Sequence, residues 1–132
     1  MRTKYYLTAD DVQKIANASR RFAQERSWNV TIAIVDDAGF LLYLERLDGA
    51  GPYTAEIAAA KARTAALGRR ASGEFEENIK QRPALATFPY VAMVRGGIPI
   101  VHEGQYVGGI GVSGRASDED EQVANAGREA LG

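Results

Sequence analysis

The chain has 132 residues, 45% of them hydrophobic, a length that suits one domain over residues 1–132 with a respectable core. Its formal net charge is −1, with both signs interspersed, so no polybasic footprint points to nucleic acid. There is no cysteine, which removes disulfides, zinc thiolate sites and thiol catalysis together.

The start of the chain, MRTKYYLTADD, lacks the apolar segment of a signal peptide, and no apolar stretch approaches the roughly 20 residues that span a bilayer. A cytoplasmic protein with no membrane partner is expected. Thr8 is a good N-cap, and Val12, Ile15, Ala16, Ser19, Phe22 and Ala23 recur at helical spacing, predicting a helix to about Arg26. Alternating residues from Trp28 to Asp36, turn chemistry at Asp36 to Gly39, and the run Phe40 to Leu47 predict a β-hairpin. After the loop Asp48 to Pro52, Thr54 caps a helix to about Leu67, closed by Gly68. That helix is rich in alanine. Two readings fit: alanine is the best helix former, or small side chains let a sheet and another subunit approach closely. A third helix runs from Ser72 to about Lys80, followed by a proline-bounded loop to Pro89.

Strand signals follow at Tyr90 to Arg95, Ile98 to His102 and Tyr106 to Ser113, and Ser117 caps a last helix with an acidic first turn. The order of elements gives an α+β class with one antiparallel sheet. Gly109, Gly111 and Gly114 spell a G-x-G-x-x-G spacing, but a dinucleotide fingerprint opens a βαβ unit and only one helix-sized segment remains here. These glycines are therefore read as strand connections, with Gly96, Gly97 and Gly109 leaving room for a ligand beside Ser113.

Four segments in order resemble the GlcG/HbpS family, described as haem-degrading-domain-like and including the C-terminal domain of PduO-type proteins. They are IAIVDDAG with ERLDGA, AAAKARTAA, GGIPIVHEGQYVGGIGVSG and DEDEQVANAG. The resemblance implies a profilin-like fold, with a five-stranded antiparallel sheet flanked by helices, and a homo-oligomer. It also implies haem or a corrinoid-related molecule as ligand, or a place in small-molecule catabolism.

Haem ligation calls for His, Met, Cys or Tyr. His102 is the one histidine, the first helix offers none, and Tyr5, Tyr6 and Tyr53 are the oxygen candidates, so no clear axial ligand emerges. Ser113 in GVSGR is not a nucleophile elbow, and no metal-ligand spacing is recognised. The polar residues that could converge are Asp36, Arg46, Asp48, Tyr53, Glu56 and Lys61. A lysine among small neighbours suits a carboxylate clamp or a base, whereas on an exposed face Lys61 and Arg63 are simply solvated. Arg46 and Asp48 could equally form a salt bridge. Arg63, Arg69 and Arg70 beside Ser72 form a basic cluster suited to a carboxylate or phosphate.

The first functional expectation is an oligomer that binds a small anionic organic ligand or haem. The alternative is a cofactor-independent enzyme, a hydrolase, dehalogenase, deaminase or isomerase, acting on a small carboxylate from aromatic catabolism. Lys61, Arg46, Glu56 and Asp36 would then act as acid, base and clamp. A structural subunit with no ligand is the third.

Overall fold

The computed structural model describes residues 1–132. Helix α1 (Ala9–Glu25) precedes the hairpin β1 (Thr31–Asp36) and β2 (Leu41–Arg46); α2 (Thr54–Gly68), α3 (Ser72–Gln81) and a 3-10 turn (Pro83–Thr87) follow. Strands β3 (Gly97–His102) and β4 (Gln105–Ser113) lead to α4 (Ser117–Glu129). The four strands form one antiparallel sheet in the order β2-β1-β4-β3. No helix is long and apolar enough to cross a membrane.

Strand alternation divides the sheet into two unlike faces. On one, Ile32, Ile34, Ile110 and Val112 pack with Val12 and Ile15 of α1 and Val123 of α4, forming the larger core. On the other, Ala33 and Val35 of β1 meet Ala58, Ala62 and Ala66 of α2. The register places Ala33 opposite Gly111 and Val35 opposite Gly109, so this face of the central strands carries almost no side-chain bulk. A Cβ at Gly109 would collide with the Ala62 carbonyl, and one at Gly111 with the Ala58 carbonyl and the Ala62 amide. The alanines of α2 and the glycines of β4 are thus two halves of one close helix-on-sheet contact, and the space the glycines leave is filled by α2.

The expected five strands are four, because Tyr90 to Arg95 stays out of the sheet. Its backbone groups are taken by side chains instead of by a ladder. Arg63 donates to the Tyr90 carbonyl at 2.7 Å, the Ala92 amide donates to Thr64 Oγ1 at 2.9 Å, and Ser72 Oγ donates to the Val94 carbonyl at 2.6 Å. Tyr90 itself has φ +61°, which interrupts any extended run.

Thr8 caps α1 as expected, in a reciprocal capping box with Asp11. The other three caps shift by one residue: Tyr53, Ala71 and Ala116 occupy the cap positions. The hydroxyls of Thr54 and Ser72 serve tertiary bonds instead, Thr54 with Thr31 at 2.7 Å and Ser72 with the 90–97 segment. Helix α2 ends at Arg69, in the left-handed region with φ +56°, and Gly68 lies inside the helix against the Phe75 ring.

Candidate functional site

Lys61 lies on α2 and is 3% exposed. Its ammonium donates to the Val112 carbonyl at 3.0 Å and to Asp120 Oδ2 at 3.2 Å. A Cβ at Gly96 would stand 2.8 Å from Lys61 Nζ, so this glycine makes way for the lysine tip. At Gly97 a Cβ would strike the Lys61 carbonyl. Asp120 is equally buried and also accepts from the Arg115 amide at 2.9 Å. Burial pushes its carboxyl above the ordinary range, while the Lys61 charge and the Arg115 and Gly114 amides pull the other way. This pair lines none of the larger cavities. It ties α2 to the start of α4.

The remaining expected site residues do not converge on Lys61. Asp36 closes the β1–β2 turn, its carboxylate accepting from the Ala38 and Phe40 amides at 2.9 Å each. Tyr53 and Glu56 are exposed at the start of α2, and Arg63 is spent on the Tyr90 carbonyl. Ser113 ends β4 opposite Thr31. Arg46 and Asp48 both line a polar cleft of about 410 Å³ with Arg20 and Glu45, but the expected salt bridge between them does not form. There Arg20 pairs with Glu45 at 2.7 Å, and Glu45 also accepts from the Tyr43 hydroxyl at 2.6 Å. Burial, and then that bond to a carboxylate, pushes the Tyr43 phenol up to about 12. No three His, Cys, Asp or Glu side chains are grouped to hold a metal ion.

A more promising arrangement lies along the open edge of β3. Two adjoining cavities of about 590 and 540 Å³ share Arg70, Ala71, Glu74 and Ile98. The part beside β3 has an apolar floor of Ile98, Pro99 and Val101, with Tyr106 at one end. Arg69 and Arg70 reach it from the end of α2 and Arg128 from the last turn of α4. None of these three arginines pairs with a carboxylate. The Arg69 guanidinium lies 5.6 Å from the Tyr106 ring centroid, and that of Arg70 5.5 Å from the Phe75 ring, so aromatic faces position both. Glu74 lines both parts and is the one carboxylate beside these arginines, while the part beside α3 adds Glu77 and Glu121, and Arg95 pairs with Glu121 at 3.1 Å. Pro99 removes a backbone donor from this edge and discourages strand addition.

Of this groove the sequence indicated only Arg69 and Arg70. Arg128 and Tyr106 are brought in by the β3–β4 turn and the packing of α4, and no local pattern marks them. His102 faces elsewhere: its ring meets Tyr5 edge-on at 4.9 Å, in a small cleft of about 270 Å³.

A small α+β protein with a ligand-sized groove on its sheet edge is the class these features define. A family model described as "Haem degrading protein HbpS-like" matches residues 7–129, and the chain belongs to this family. It is 43% identical over 114 residues to Protein GlcG of Escherichia coli K12, covering 86% of this chain and 85% of that protein. It is also similar to the crystal structure of a double mutant of Streptomyces reticuli HbpS, with 36% identity and TM-score 0.94, over 100% of this chain and 91% of the other. The fold is shared with the crystal structure of a PduOC:heme complex, at 24% identity and TM-score 0.88, over 96% and 95% of the two chains.

Proposed function

We propose that this protein binds a planar anionic organic ligand, haem or another tetrapyrrole carboxylate, in the groove along β3. The observation that carries the reading is the set of three guanidinium groups without carboxylate partners, Arg69, Arg70 and Arg128, around an apolar floor. Guanidinium forks suit carboxylates, and the floor of Ile98, Pro99 and Val101 suits the flat body of such a molecule. The family's haem-related description agrees with that chemistry.

The residues present fit haem. Tyr106 supplies the one oxygen of iron-ligating type in the β3 part of the groove, and the arginines would hold propionates. Haem, when bound, supplies an iron with redox chemistry. Arg69 lies beside the Tyr106 ring and would hold that side chain in place at the groove. Lys61 takes no part in this reading, since its ammonium is already bound on two sides and closed to solvent.

Titration with haemin should give a saturable Soret shift at micromolar concentration. Loss of one charge-assisted hydrogen bond costs about 1.5–3 kcal/mol, so Arg69→Ala/Arg128→Ala should weaken binding at least about tenfold. Tyr106→Phe should move the Soret maximum of the bound form. An unsaturable spectrum, or variants that titrate like wild type, would reject the proposal.

A second copy of the chain completes this reading at the opposite sheet edge. Phe40, Leu41, Leu42 and Leu44 are all exposed on or beside β2, whose outer backbone groups have no strand partner. Edge strands with such faces pair readily about a two-fold axis. Light scattering should give a mass of two or more times 14.2 kDa; a single-chain mass at micromolar concentration would contradict the self-association.

A further inference from the structure

Beneath the irregular 88–94 segment lies a cavity of about 300 Å³ that belongs neither to the β3 groove nor to the Arg46 cleft. Its walls include Leu67, Phe75, Phe88, Val91 and Met93, with Thr64 as the polar member. The Thr64 hydroxyl is already committed, donating to the Ala60 carbonyl at 2.7 Å and accepting from the Ala92 amide at 2.9 Å. No side chain in the wall is therefore left to anchor a polar or charged guest. The space opens to solvent at Leu67, Phe88 and Pro89, which are exposed, and its side chains offer water few polar partners.

The outer wall is held in place at some conformational cost. Tyr90, a bulky and exposed residue, sits at φ +61°, and the Arg63 guanidinium holds its carbonyl at 2.7 Å. Thr64 and Ser72 fix the same segment at Ala92 and Val94. Three side chains from α2 and α3 thus fix the segment that carries Phe88, Pro89 and Val91 into the wall. Strain maintained by surrounding contacts is characteristic of sites whose shape matters.

We infer that this cavity is a second ligand site, for a small neutral apolar molecule of about one ring. Its volume is at the lower bound of small-molecule pockets, roughly 300–1,000 Å³. A charged body would find no side-chain partner there, and a tetrapyrrole exceeds the space. The two sites share no lining residue, although the Phe75 ring of this one also faces Arg70 of the groove.

The chain has two methionines, Met1 and Met93, and only Met93 lines the cavity, so methyl-13C-methionine NMR reads the site directly. Titrating toluene into the labelled protein should shift the Met93 methyl signal saturably and leave the Met1 signal in place. Val91→Trp, which fills the space, should abolish that shift; Leu67→Phe provides a second filled variant if the first does not fold. Arg69→Ala/Arg128→Ala should bind toluene as wild type does, whatever its response to haemin. A Met93 signal that does not saturate, or one that responds equally in a folded filled variant, would overturn the inference.

Discussion

Lys61→Met is expected to destabilise the protein by about 3–5 kcal/mol at pH 7, because it strips a buried carboxylate of its cation. Asp120 is 2% exposed, and in the variant it retains only backbone amide donors such as that of Arg115. Already above its usual range in the wild type, its carboxyl rises further without Lys61. The sign of the pH effect follows from that direction. A carboxyl whose folded pKa exceeds its unfolded one contributes stability fully below about pH 4, and loses it as pH rises through the folded value. The deficit of Lys61→Met relative to wild type should therefore be widest at neutral pH and narrow in acid. Adding Asp120→Asn, which needs no cation, should recover a large part of the loss at pH 7. Urea unfolding at several pH values measures all three proteins. A deficit below about 1 kcal/mol, or one that grows in acid, would refute the account of this pair.

The second large effect concerns the helix-on-sheet contact. Gly111→Val should cost about 3 kcal/mol or more, at or beyond the upper end of typical overpacking. The obstacles are the Ala58 carbonyl and the Ala62 backbone amide, which cannot rotate away as a side chain could. Helix α2 would have to lift from β4, taking with it the Lys61 ammonium and the Arg69 and Arg70 end of the groove. Gly51→Ala is the natural control, since nothing lies within 4 Å of a Cβ there. It should stay within about 0.5 kcal/mol of wild type. Thermal unfolding of both variants separates a packing requirement from a general cost of replacing glycine.

Those same residues explain what could be read in advance. Local periodicity is a short-range signal, so α1, with its Thr8 cap, and the β1–β2 hairpin were legible as written. The Tyr90 to Arg95 run was not, because its β propensity is overridden by Arg63, Thr64 and Ser72, which lie well apart from it in sequence. Cap residues misled for a related reason: a serine or threonine beside a helix start can equally serve a tertiary bond, as Thr54 does with Thr31.

The candidate site was harder still. Lys61 stood out in an alanine-rich helix, but its partner Asp120 is 59 residues away, hidden in an acidic run that also suits a helix N-terminus. The glycines that suggested room for a ligand instead admit α2 and the lysine tip. Arg69 and Arg70 formed a visible cluster, whereas Arg128 and Tyr106 join it only through tertiary packing. Family resemblance suggested the ligand class, and the location proposed above rests on the side-chain geometry of the groove.

That location is tested most directly by a crystal structure of the protein loaded with haemin. The account predicts a planar ligand along β3, with its carboxylates on Arg69, Arg70 and Arg128 and its iron facing Tyr106. Haemin bound at Lys61 or beside His102, with the β3 groove empty, would contradict it.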